Sequence, residues 1–173
     1  MVFRIGDLDL SYIEAETIHL LVPVVKVKIE TKPRKEIMGV LTVLLEKIDH
    51  LSDKDGLGRS DPYVKFELEK DKLLFDKGYG KKESSKKRND LNPEYNEAFE
   101  FEGVPSLNNM VLKIWIMDHD IGLDKKIGHC EIKLEDLQIT QDLGESISKV
   151  VENKEGLFKS DAVIHFKLSF RES

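Results

Sequence analysis

Asp55 and Asp61 bracket the run Gly56-Leu57-Gly58-Arg59-Ser60, directly ahead of Pro62 and a stretch that alternates apolar and polar residues. Asp118, Asp120 and Asp124 follow a second alternating stretch that ends at Met117, before Ile127-Gly128 opens the next. Asn89 and Asp90 stand at a third such end. Single acids at loop tips are ordinary turn formers. Two clusters of them at strand ends are a different matter, because carboxylates brought within a few Å repel strongly unless cations lie between them. Oxygen-only donors suit a hard cation such as Ca²⁺, which takes about six to eight oxygens. The run Asp53-Lys54-Asp55-Gly56 is not the calcium loop of helix–loop–helix proteins, since its glycine is fourth rather than sixth and no glutamate follows at the twelfth place. Other chemistries find little support. A single cysteine, Cys130, excludes a multi-cysteine zinc site. Its neighbour His129 would face the opposite side of a strand, so the two make no nucleophile–base pair. No glycine-rich phosphate loop or Ser/His/Asp ordering is present.

The elements that must carry these loops are short strands. Tyr63 to Glu69 alternates cleanly, as do Ala98 to Glu102 and Val111 to Met117, where Leu112, Ile114 and Ile116 oppose Val111, Lys113, Trp115 and Met117. Gly39 to Ile48 is a β-branched apolar run expected to be buried on both faces. Further strands are expected at Ile127 to Lys133, Ser146 to Val151 and Ala162 to Phe170, with a polar edge strand at Lys81 to Arg88 and one helical turn at Leu134 to Gln138. Trp115 is read as core or as support behind the acidic loops, and His119 as a plain loop residue. Many short strands separated by Gly, Pro, Asn and Asp turns predict an all-β, antiparallel β-sandwich of eight strands from Gly39 onward. Residues 1–37 form a separate N-terminal extension, in which Val25-Lys26-Val27-Lys28-Ile29-Glu30 alternates like one more strand. That extension carries six acids and six bases, so the whole net charge of −6 falls on residues 38–173.

With 173 residues, 40% hydrophobic and 35% charged, the chain can bury a core, and its negative balance excludes a general nucleic-acid binder. The most apolar stretch, Ile18 to Val25, contains His19 and Pro23 and is too short to span a bilayer. The opening residues reach Asp7 too soon for a secretory signal. The expectation is a soluble, cytoplasmic protein.

Three motifs together carry a resemblance. Asp55-Gly56-Leu57-Gly58-Arg59-Ser60-Asp61-Pro62-Tyr63-Val64-Lys65, then Asn92-Pro93-Glu94-Tyr95-Asn96-Glu97-Ala98-Phe99-Glu100-Phe101, then Asp118-His119-Asp120 ahead of Ile127-Gly128, resemble a C2 domain over about residues 38–171. The resemblance implies an eight-stranded antiparallel sandwich whose loops at one end bind two or three Ca²⁺ and dock on phospholipid. Asp118-His119-Asp120-Ile121-Gly122-Leu123-Asp124-Lys125-Lys126-Ile127-Gly128 and Asn89-Asp90-Leu91-Asn92-Pro93 resemble the C2 domains of calcium-dependent cytosolic phospholipases more than those of synaptotagmins or protein kinase C, which place the last aspartate where Lys125 stands. The implied ligands are Asp55, Asp61, Asn89, Asp118 and Asp120, with Asp124 a further candidate. Gly58 stands where the phospholipase pattern supplies an acid. The positions of Leu57 and of Ile121 to Leu123 are the membrane-inserting ones in that subfamily.

Those implications amount to a Ca²⁺-dependent phospholipid-binding module without catalysis of its own, reversibly peripheral on membranes. The lysine-rich segment suggests an anionic-lipid patch of Lys65, Lys82, Lys86 and Arg88, although Glu83 and Ser85 replace two lysines of the protein kinase C pattern. The alternative is a calcium-independent C2 scaffold for protein partners, or a regulatory piece of a larger lipid enzyme or lipid-transfer protein. Two connection patterns exist in the family, differing by circular permutation. The four large apolar residues Ile164, Phe166, Leu168 and Phe170 on one face favour the phospholipase-like one, in which the C-terminal strand sits beside the first. The N-terminal extension then becomes an added arm, available for pairing along a sheet edge, for a protein partner or for self-association.

Overall fold

In the computed structural model, the residues described are 38–51, 60–71, 77–120, 122–151 and 162–172. All belong to the second of two units into which the chain divides, Lys35–Ser173. The expected N-terminal arm lies outside the described residues, as do Asp55, Leu57 and Ile121.

Alternation along each segment decides which side chains point inward. Strand β2, Pro62–Lys70, buries Val64, Phe66 and Leu68 and leaves Lys65, Glu67 and Glu69 half-buried on the outer face. It pairs antiparallel with β5, Met110–Asp118, so that Val64 lies opposite Ile116, Phe66 opposite Ile114 and Leu68 opposite Leu112. Strand β3, Lys77–Glu83, joins the free edge of β2, and β6, Lys125–Lys133, joins that of β5, giving the order β3-β2-β5-β6. The second sheet runs β4-β1-β8-β7, from β1 (Gly39–Asp49), β4 (Glu94–Val104), β7 (Ile147–Val150) and β8 (Val163–Glu172). The result is an eight-stranded antiparallel sandwich, with one 3-10 turn at Leu134–Asp136 that buries Leu134. Between the sheets, Phe66 meets Phe99 with ring centroids 5.2 Å apart and planes tilted by 39°, a favourable aromatic geometry.

Strand β8 occupies the place beside β1, paired from Gly39 opposite Glu172 to Asp49 opposite Val163. Its Ile164, Phe166 and Leu168 enter the core, as the connection pattern read from the sequence requires. Where β1 meets the end of β8, a Cβ on Gly39 would overlap Phe170 Cζ, so any side chain there requires the Phe170 ring to shift.

Four expectations need correction. Strand β1 is not buried on both faces: Leu41, Val43 and Leu45 are in the core, while Val40, Thr42 and Leu44 are half-buried on the outer face. Its outer side carries no second layer among the described residues, and a run of apolar β-branched residues cannot by itself tell one covered face from two. The edge strand expected at 81–88 is β3 at 77–83. After Glu83 the backbone still bonds at Ser84, whose N–H donates to the Val64 carbonyl (2.9 Å), and side chains supply the rest: the Val64 N–H donates to the Ser84 hydroxyl (2.9 Å), and the Ser85 N–H donates to Glu97 Oε2 (2.9 Å). Gly78 and Gly80 concealed the start of β3, since glycine weakens strand propensity and Gly80 sits at φ +127° beside a register shift. Strand β4 begins at Glu94, four residues earlier than the alternation suggested: Tyr95 is already buried, but the next position on its face is the polar Glu97, which hides the start of the pattern. Trp115 is on the outer face of its sheet, half-buried, with Lys65 and His129 as its cross-strand neighbours, and so is not core.

Candidate functional site

Three chain segments meet at the end of the sandwich where β2 begins and β5 finishes, Pro62 lying opposite Asp118. The Asp61 N–H donates to Asp118 Oδ1 at 2.8 Å, and the Asn89 N–H donates to Asp61 Oδ1 at 2.9 Å. Backbone bonds lock the same junction: the His119 N–H donates to the Asp61 carbonyl (3.1 Å), the Asp90 N–H to the Ser60 carbonyl (3.2 Å) and the Lys87 N–H to the Pro62 carbonyl (3.0 Å). Asn89 holds a left-handed φ of 51°, which its short polar side chain tolerates better than most. Each of the two aspartates thus has one carboxylate oxygen oriented by a backbone amide.

The structure brings Asp61, Asn89 and Asp118 together and gives Asp120 and Asp124 other partners. Asp120 pairs with Lys125 at 3.0 Å. Asp124 accepts a 2.5 Å hydrogen bond from the Tyr63 hydroxyl on Oδ2, and its Oδ1 lies 2.8 Å from His119 Nδ1. The Tyr63 hydroxyl first, and then His119, hold the Asp124 carboxyl well below the usual range, at about 2. Among the described residues no set of three or more carboxylate, imidazole or thiol groups is arranged to hold a metal ion; Asp55 lies outside those residues. The side chains of Asp61 and Asp118 offer only carboxylate oxygens, which suit a hard cation and not a soft one.

On the loop after β5, Gly122 adopts φ +123°, a conformation other residues avoid, and Leu123 beyond it is 85% exposed. Leu57 and Ile121, the other expected insertion residues, lie outside the described residues. Of the four basic residues, Lys65 and Lys86 both stand over the Tyr63 ring, 5.3 and 5.4 Å from its centroid. Lys65 pairs with Glu83 at 3.2 Å. Lys65 and Lys82 line a groove of about 670 Å³ on the outer face of the β3-β2-β5-β6 sheet, together with Trp115, Met117 and Lys126. Lys86 is also 3.1 Å from His119 Nδ1. Arg88 is exposed in the turn before Asn89.

The sequence marks His119 only as a loop residue and gives Tyr63 no part at all. Their contacts with Asp124 span 5 and 61 residues of chain. The outward-facing set around Trp115 is visible as alternation, and that signal identifies the groove in retrospect.

A family model described as the C2 domain matches residues 39–150. Synaptotagmin-9 of Rattus norvegicus is 40% identical over 96 residues, a stretch that makes up 54% of this chain and 19% of that protein. The chain therefore matches a small part of that relative's length. Among solved structures, a C2 domain of plant extended synaptotagmin 1 superposes with a TM-score of 0.66 at 25% identity, covering 81% of this chain and 98% of that one. Human GIVD cytosolic phospholipase A2 superposes with a TM-score of 0.59 at 22% identity, covering 80% of this chain and 18% of that one, a likeness of fold. No helix among the described residues is long and apolar enough to cross a membrane.

Proposed function

The chain belongs to the C2 domain family, and from that premise we propose that it is a Ca²⁺-dependent phospholipid-binding module that carries no catalysis of its own. The observation that carries the proposal is the coupling of Asp61, Asn89 and Asp118 at one end of the sandwich, next to the exposed Leu123. Asp61, Asn89 and Asp118 would supply the central oxygens, with Asp55 and Asp120 as further donors. A Ca²⁺ ion held by these residues would supply the positive charge that attracts the phosphate groups of lipid headgroups.

The chain's own residues do the rest. The amide bonds onto Asp61 and Asp118 hold two carboxylates in one orientation, so that little ordering remains to be done when a cation arrives. In the absence of a cation, acids at the loop ends repel an anionic surface and keep the apolar tips away from it. Leu57, Ile121 and Leu123 are the side chains that would enter the interface. The basic residues join in reduced form: Lys82 and Arg88 are exposed, Lys65 shares its charge with Glu83, and Lys86 faces Tyr63 and His119. The protein is then cytoplasmic and reversibly peripheral on membranes, and residues 1–37 remain the proposed contact for a protein partner or a second copy.

Liposome co-sedimentation of the full chain, with Ca²⁺ and with chelator, across phosphatidylcholine, phosphatidylserine and phosphoinositide mixtures, tests the reading. The expected result is sedimentation that appears with Ca²⁺ and reverses on chelation. Sedimentation that ignores Ca²⁺, or none on any mixture, would favour the protein scaffold instead.

A further inference from the structure

Tyr63, the second residue of β2, is a buried side chain with two ammonium groups over its ring, Lys65 Nζ at 5.3 Å and Lys86 Nζ at 5.4 Å from the centroid. Its hydroxyl reaches out of that packing to donate to Asp124 Oδ2 at 2.5 Å, the short distance expected of a hydroxyl bonded to an ionised carboxylate. The other carboxylate oxygen is 2.8 Å from His119 Nδ1, which itself lies 3.1 Å from Lys86 Nζ. That nitrogen donates to Asp124 in one tautomer and accepts from Lys86 in the other; the Tyr63 bond is present in both. Both oxygens of Asp124 are therefore directed at β2 and the start of its own loop, not at Asp61 and Asp118. The preceding residues diverge from this anchor. Gly122 turns the chain with φ +123°, and Leu123 emerges 85% exposed immediately before the residue that is tied down.

The geometry points to Asp124 as the tether of this loop and not as an ion ligand: Tyr63 and His119 hold it against β2, and the tether fixes Leu123 in its outward position. What Leu123 does there rests on the membrane reading above. Tyr63, His119 and Asp124 are on this account positioning residues. The resemblance that made Asp124 a ligand candidate rested on its place in the chain, and the fold spends both of its oxygens elsewhere.

The experiment uses the full chain and three readouts. In calcium-free protein, amide hydrogen exchange at residues 122–124 should accelerate about fivefold in Tyr63→Phe, the effect of losing one hydrogen bond of ordinary strength, while circular dichroism stays that of the wild type. In wild-type protein titrated with CaCl₂, the Asp118 carboxyl carbon resonance should move and that of Asp124 should stay. On phosphatidylserine vesicles at saturating Ca²⁺, Tyr63→Phe should bind roughly threefold to tenfold more weakly, with its Ca²⁺ affinity in solution within about twofold of wild type. Unchanged exchange in Tyr63→Phe, or an Asp124 resonance that moves together with that of Asp118, overturns the tether. An Asp118 resonance that ignores Ca²⁺ overturns the calcium reading instead, and the exchange measurement still decides the tether.

Discussion

At the scale of single residues, Asp118 and Leu123 separate the two halves of the proposed mechanism. Asp118 Oδ1 accepts the Asp61 N–H, and an asparagine keeps that acceptor while losing the charge. Asp118→Asn should therefore fold normally, with a thermal midpoint equal to or above that of the wild type because a like-charge contact is relieved. Its Ca²⁺ affinity, read by calorimetric titration, should fall about tenfold or more. Unaltered affinity removes Asp118 from the site. Leu123 is 85% exposed and contributes nothing to the core, so Leu123→Ala should leave stability within about 0.5 kcal/mol of wild type. Complete burial of a leucine side chain is worth about 1.5–3 kcal/mol, and partial insertion part of that. Vesicle affinity at saturating Ca²⁺ should accordingly drop roughly threefold to tenfold. Equal binding by the variant would mean that this loop stays out of the interface.

At the scale of elements, the end of β3 is the informative place. The Ser84 hydroxyl accepts the Val64 N–H at 2.9 Å and donates to the Ser85 carbonyl, from a position that is itself buried. It completes the pairing with Val64, whose carbonyl still accepts the Ser84 N–H (2.9 Å), just where the edge strand departs toward Asn89. Ser84→Ala leaves the Val64 amide without that acceptor, at a cost of about 1–3 kcal/mol, and should be visible as a lower urea midpoint with an unchanged denaturant slope. Because the segment 84–88 leads into Asn89, the same variant should also weaken Ca²⁺ binding by a few-fold. Normal stability would show that the hydroxyl bond is not the one that closes this edge.

At the scale of the whole molecule, the C-terminal strand is expected to be indispensable and the N-terminal residues not. Strand β8 lies between β1 and β7 and delivers Ile164, Phe166 and Leu168 to the core. Losing such side chains costs about 2–5 kcal/mol each, together comparable to the entire stability of a domain. Removing residues 161–173 should abolish the cooperative thermal transition, whereas removing residues 1–36 should leave a folded, Ca²⁺-responsive domain. The reverse pattern would mean that the connection of the sandwich has been read the wrong way round. Acid sensitivity is a second global property. Asp124 is held at about 2 by Tyr63 and His119, Glu46 is lowered by the Ser146 hydroxyl and Lys167, and Asp49 by Lys47. The folded state binds these protons more weakly than the unfolded chain does, so their contribution is complete above the ordinary carboxylate range near 4 and is lost as pH falls toward the depressed values. The thermal midpoint should stay level from neutral pH down to about 5 and decline below about 4, with the Asp124 share lost last.

Period-two alternation along the chain sufficed to identify the inward residues of β2, β5 and β8, because Val64, Phe66 and Leu68, or Ile164, Phe166 and Leu168, must share a face whatever lies opposite. The placing of acids at strand ends likewise marked Asp61 and Asp118, since those two ends follow from the same local pattern, whereas β3 stops at Glu83, short of Asn89. Local pattern carries no information about which distant side chains meet. Whether Asp124 turns to Asp118 or to Tyr63 depends on the register of β2 against β5 and on the turn at Gly122. The bounds of β3 depended on a serine hydroxyl entering the ladder, and the exposure of Trp115 on which face of its sheet was left uncovered. Periodicity reports the burial of one face of one element. Pairing register, bulges and side-chain substitutions for backbone bonds are settled by all the strands together, and only the folded sandwich decides them.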